Sequence, residues 1–65
     1  MYYVYLIETV SASRERYVGM TANLKQRLGD HNAGKSFYTS KSKPWKLIAY
    51  VAFTDRTRAE ALALY

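Results

Sequence analysis

The chain reads as a small α+β protein, a three-stranded antiparallel sheet with helices packed on it in the order ββαβα. Three observations predict this. Tyr2 to Ile7 (YYVYLI) is a near-continuous β-prone apolar run, the pattern of a central strand covered on both faces. Tyr17 to Asn32 (YVGMTANLKQRLGDHN) reads as a strand that ends in a turn and opens a helix. Lys46 to Phe53 (KLIAYVAF) is a second β-prone run, followed by a helix start.

Along the first strand, alternation puts Tyr3, Tyr5 and Ile7 on one face and Tyr2, Val4 and Leu6 on the other. Ser11 to Glu15 is polar and short, so the strand Arg16–Met20 that follows pairs with it antiparallel. Gly19 in that strand permits close backbone approach. Asn23 is a good N-cap, with Gln26 three residues on partly completing a capping box. The helix is expected from about Leu24 to Ala33, stopped by Gly34. At about 100° per residue, Arg27 and His31 lie at the edge of the face buried by Leu24 and Leu28, while Lys25, Gln26 and Asp30 face away. Gly34 to Pro44 is a Ser/Lys-rich loop. After the third strand, Thr57 and Glu60 form a T-x-x-E capping box opening a second helix, which the chain end cuts short. Residues 1–65 are expected to be a single domain, with neither repeat nor linker.

Sixty-five residues bury only about 60% of their unfolded surface, so the core is marginal. The absence of cysteine excludes disulfides and thiolate zinc sites, and one histidine excludes a multi-histidine metal centre. An apolar content of 49% makes disorder a poor reading. The apolar runs fall far short of a membrane span and no leader pattern precedes the first strand, so a cytoplasmic protein is the default. A net charge of +5 points to a polyanionic partner. From Lys35 to Lys46 there are four lysines and no acid, interleaved with Phe37, Tyr38 and Trp45. That mixture suits phosphate contact plus base stacking, and equally suits a solvated loop. Lys25, Lys35, Tyr38, Lys41 and Lys43 are the candidate nucleic-acid contacts.

With Tyr5, Tyr17, Arg27 and His31 placed, the chain resembles the GIY-YIG nuclease superfamily over essentially its whole length. The likeness is strongest to the small single-domain members and to the N-terminal domain of the excision-repair incision nuclease. Tyr3-Val4-Tyr5 stands where that family has its first tripeptide, and Tyr17-Val18-Gly19 where it has the second. NLKQRLGDHNAGK resembles the family's helix and turn, with Arg27 matching its catalytic arginine, and Tyr38-Thr39 and Pro44-Trp45-Lys46-Leu47 match further stretches.

The resemblance implies phosphodiester hydrolysis with one divalent cation, Mg²⁺ or Mn²⁺, water as nucleophile and in-line displacement. Tyr17 would then lie nearest the attacking water, and Tyr5 would orient water or phosphate. Arg27 would bind a non-bridging phosphate oxygen, and His31 would be the base near neutral pH, with an ordinary pKa of about 6.5. Position 3 is Tyr rather than Gly, and Met20 stands where some relatives carry lysine. The family's metal ligand is a glutamate on the second helix, five residues after the acid of an E-A-L stretch. Glu60-Ala61-Leu62 matches that stretch, and Tyr65 occupies the ligand position. Glu60 is the remaining metal candidate, but five helical residues place it about 140° away from that position. Two functions stay open: a metal-dependent endonuclease, and a non-catalytic nucleic-acid-binding module that keeps the fold. DNA is the expected partner in either, with a homodimer as a further option.

Overall fold

A computed structural model of the chain describes residues 1–10, 14–35 and 44–64. The elements are β1 (Tyr2–Thr9), β2 (Arg16–Thr21), α1 (Leu24–Asn32), β3 (Trp45–Phe53) and α2 (Arg56–Leu64). The sheet order is β2-β1-β3 with both pairings antiparallel, so β1 is central, as its apolar run predicts. β1 runs two residues beyond Ile7 because Thr9 holds the β1–β2 connection. Its amide donates to the Glu15 carbonyl, and its Oγ1 accepts from the Glu15 amide, both at 2.9 Å.

Register fixes the two faces. Tyr5 opposes Gly19 on β2 and Tyr50 on β3, while Ile7 opposes Tyr17 and Leu47. A bulge in β3 absorbs Ile48 between these pairs, which keeps Leu47 and Trp45 on the same face as Ile7. That face meets α1: Tyr5, Ile7 and Trp45 are buried with Tyr17, Leu24, Leu28 and Leu47 packed around them. The opposite face presents Val4, Leu6, Val18 and Val51 to α2, whose Ala59 is fully buried. On it too the buried Glu8 meets its cross-strand partner Arg16, with Oε2 accepting from Nε at 3.1 Å.

The start of α1 is as expected. Asn23 Oδ1 accepts from the Gln26 amide at 3.1 Å, and its Nδ2 donates to Gln26 Oε1 at 3.3 Å. Its end falls at Asn32, where Gly34 takes a φ of 77°. Lys35 N then reaches Asp30 O at 3.0 Å and Gly34 N reaches His31 O at 3.3 Å, the paired bonds of a left-handed helix stop. The start of α2 differs from expectation. Asp55, not Thr57, is its cap: Oδ1 of Asp55 accepts from the Thr57 amide at 2.9 Å, and its carbonyl takes the Ala59 amide. A carboxylate two residues earlier satisfies the first-turn donors and the helix dipole together, which a hydroxyl does less well. Glu60 is thereby released from capping, and its Oε1 accepts from Arg56 Nε at 2.8 Å.

Candidate active site

Tyr5 is buried, and its ring reaches across the sheet over Gly19. A Cβ built on Gly19 would lie 2.3 Å from the Tyr5 hydroxyl oxygen and 2.5 Å from Cζ. The hydroxyl therefore occupies the volume a side chain at position 19 would fill. From there it shares a 2.9 Å hydrogen bond with His31 Nε2, its direction set by the imidazole tautomer. His31 is wholly buried, deeper than the edge position its helical spacing predicts. The reason is lateral. Tyr5 and Tyr17 flank it edge-on, with ring centroids 5.8 and 5.2 Å away, and close it off from solvent.

One turn before His31, Arg27 is half-buried, with Nη1 4.0 Å from Asp30 Oδ2. Its charge acts on both buried partners. Burial pushes the Tyr5 hydroxyl above its ordinary pKa, while the Arg27 guanidinium pulls it back. Burial pushes the His31 imidazole down and Arg27 adds to this, against a smaller opposite effect of Asp30. At neutral pH the pair is therefore a neutral phenol and a neutral imidazole beside one fixed cation. Such a cluster can grip an anion through Arg27 and hold a proton between Tyr5 and His31.

The four residues predicted for chemistry thus gather on one sheet face. Of the predicted polyanion contacts, Lys35 meets the same Asp30 carboxylate as Arg27, while Lys25 stands apart. Lys25 lies on the other flank of α1, and the exposed Lys35 has its Nζ 3.9 Å from Asp30 Oδ1. Tyr38, Lys41 and Lys43 lie outside the described residues, as does Tyr65. Glu60 sits on α2, across the sheet from His31, and is engaged by Arg56. Among the described residues no three acidic or imidazole groups lie together. The described residues therefore hold no ready-made cage of converging carboxylates, the kind of site that binds Ca²⁺.

Two features escaped the sequence reading. The Asn32 side chain brackets the Trp45 backbone: Oδ1 accepts from Trp45 N at 2.5 Å, and Nδ2 donates to Trp45 O at 3.0 Å. Tyr50, opposite Tyr5, packs edge-on against Tyr3 at 5.9 Å. Alternation puts Tyr3 and Tyr5 on one face, but only the β1–β3 register adds Tyr50 to them.

A three-stranded antiparallel sheet whose central and second strands each send a tyrosine toward one helical Arg/His pair defines a small α+β class with one clustered polar site. The family profile described as "GIY-YIG catalytic domain" matches residues 1–64, and the chain belongs to the GIY-YIG family. It is similar to a UPF0213 protein of Cupriavidus pinatubonensis, 36% identical over 59 residues, covering 89% of this chain and 63% of that protein. A UPF0213 protein of Lactiplantibacillus plantarum is 41% identical over 61 residues, covering 89% and 58% respectively. One from Streptococcus pyogenes serotype M5 is 40% identical over 58 residues, covering 88% and 61%. The chain thus spans about three fifths of the length of these curated relatives. No solved structure matches it. Among the described residues no helix is long and apolar enough to cross a membrane.

Proposed function

We propose that the chain is a GIY-YIG endonuclease-type domain that grips a nucleic-acid phosphodiester, DNA in the first instance, on its Tyr5–Tyr17–Arg27–His31 face. The observation that carries this reading is the buried Tyr5–His31 hydrogen bond, 2.9 Å long, set over Gly19 beside Arg27. A cross-sheet tyrosine held on a neutral imidazole next to a cation exceeds what packing requires, because two apolar side chains would fill that space without polar burial.

In this reading Arg27 binds a non-bridging oxygen and offsets its charge. The Tyr17 hydroxyl orients a water. The Tyr5 hydroxyl, kept protonated by burial, donates to His31 Nε2 in the Nδ1-protonated tautomer and accepts from Arg27, which links the phosphate-gripping cation to the proton relay. His31, fully enclosed, acts on that water only through Tyr5. A divalent ion would supply leaving-group stabilisation in an active relative of this site. No step here passes through it. The resemblance puts Tyr65 where a glutamate ligand is expected, so cleavage is expected to be weak or undetectable, with phosphate binding retained. A place among the nucleic acids of the cytoplasm follows from this reading.

The test combines a plasmid-nicking assay in Mg²⁺ or Mn²⁺ with oligonucleotide binding by fluorescence anisotropy. Arg27→Ala should weaken binding by roughly 10- to 100-fold, the worth of a charge-assisted contact. Robust metal-dependent nicking abolished by Arg27→Ala would overturn the expectation of weak cleavage. Binding indifferent to Arg27 would overturn the site.

A further inference from the structure

Beside α1, on the flank opposite Arg27, an open groove of about 510 Å³ runs between the helix and β3. At about 100° per residue, Lys25 and Asn32 share one flank of α1 while Arg27 lies on the other. The Asn32 bond to Trp45 identifies the Lys25 flank as the one over β3. Leu24, Leu28 and Leu47 floor the groove, Tyr3 and Tyr50 wall it, and Lys25 is the one charged residue among the described residues that line it. Tyr50 is 54% exposed although its neighbour in register, Tyr5, is 2% exposed. Tyr3 meets Tyr50 edge-on, with planes 66° apart. That contact pins the Tyr50 ring while leaving area free for a second ring to stack on.

We infer that this groove takes one unpaired nucleobase of the DNA strand whose phosphate Arg27 holds, with the base stacked on Tyr50 and its own phosphate against Lys25. This deepens the function proposed above and rests on it. Apolar walls with an open aromatic face suit a base, which every nucleotide offers regardless of sequence. Among the described residues a single lysine, with no acid in the lining or in the first turn of α1, matches a phosphate rather than a cationic or neutral partner. The groove volume lies within the roughly 300–1,000 Å³ of small-ligand sites. The spacing is compatible too. A helix is about 10 Å across with its side chains and the strand must pass round it, so at about 3.4 Å per stacked nucleotide the base lies at least about three nucleotides from the gripped phosphate. The ligand is then a duplex with a short single-stranded end, and not a blunt duplex.

The experiment measures anisotropy of two labelled DNAs, a blunt duplex and the same duplex with a four-nucleotide overhang. The parent chain should prefer the overhang, and removing the overhang bases one at a time should abolish that preference at a single position. Tyr50→Ala should lose roughly 5- to 100-fold on the overhang DNA, the range for one stacked base, and leave the blunt duplex unchanged. Tyr50→Phe should restore the preference, which guards against a folding defect. Arg27→Ala should weaken both DNAs. Equal binding of both DNAs by the parent, or an overhang preference untouched by Tyr50→Ala, overturns the groove assignment while leaving the phosphate site standing. Absence of binding to either DNA overturns both.

Discussion

Gly19 and Gly29 make opposite uses of the same missing side chain. Gly19 yields to the Tyr5 hydroxyl the volume a Cβ would take, and the ring cannot retreat because Tyr5 is 2% exposed and bonded to His31. Gly29 lies inside α1 with nothing within 4 Å of a built Cβ. Alanine at 19 should therefore cost ~1–3 kcal/mol, the usual penalty of overpacking, and valine at least as much. Alanine at 29 should stabilise by ~0.5–1 kcal/mol, by removing backbone freedom from the unfolded chain. Urea denaturation of the two variants checks both signs, and a neutral Gly19→Ala would remove the close-approach account. The glycine was legible in the sequence as a site of close approach. That a phenol hydroxyl fills the space was not, because it depends on which β1 residue stands opposite.

At the scale of elements, Asn32 is the joint between α1 and β3. Val10 N donates to Pro44 O at 3.1 Å, so Pro44 points its carbonyl inward along the β1 side, and alternation turns the Trp45 amide and carbonyl outward. Asn32 satisfies both outward groups, as a neighbouring strand would. Its loss exposes two partners at once, each net bond being worth about 1 kcal/mol. Asn32→Ala should therefore cost ~1–3 kcal/mol in urea denaturation. Asn32→Asp should cost no less, because a carboxylate oxygen would face the Trp45 carbonyl. A change below ~0.5 kcal/mol, ordinary for surface positions, would show that the joint carries nothing. Sequence spacing placed Asn32 near a helix end, where asparagine is expected in any case. The thirteen-residue separation from Trp45 hid its second task.

For the whole molecule, the buried imidazole ties stability to pH. His31 faces Tyr5, Tyr17, Arg27 and Asp30, and its folded pKa lies below the ordinary 6.5. As pH falls through about 6.5 the unfolded chain takes up a proton that the folded chain refuses, so stability falls with it. The contribution is present in full above that pH and declines until the folded pKa is passed. The urea midpoint should thus drop between pH 8 and pH 5, and a midpoint rising over that interval would contradict a neutral buried His31.

Local chemistry alone determined much of this protein. The apolar run Tyr2–Ile7 required a central strand, Asn23 and Gln26 opened α1, and Gly34 closed it, because caps and alternation act over a few residues. Arg27 and His31 were legible beside the buried leucines for the same reason. The cap of α2 was misread because Asp55 and Thr57 both offer an oxygen, and only the folded backbone chooses between them. Tertiary structure decided what depends on register across strands. It set Tyr5 over Gly19 and Tyr50 beside Tyr3, and it put Glu60 on the far side of the sheet from His31. Each is a meeting of residues remote in the chain, fixed by which strand pairs with which and by the one-residue bulge at Ile48.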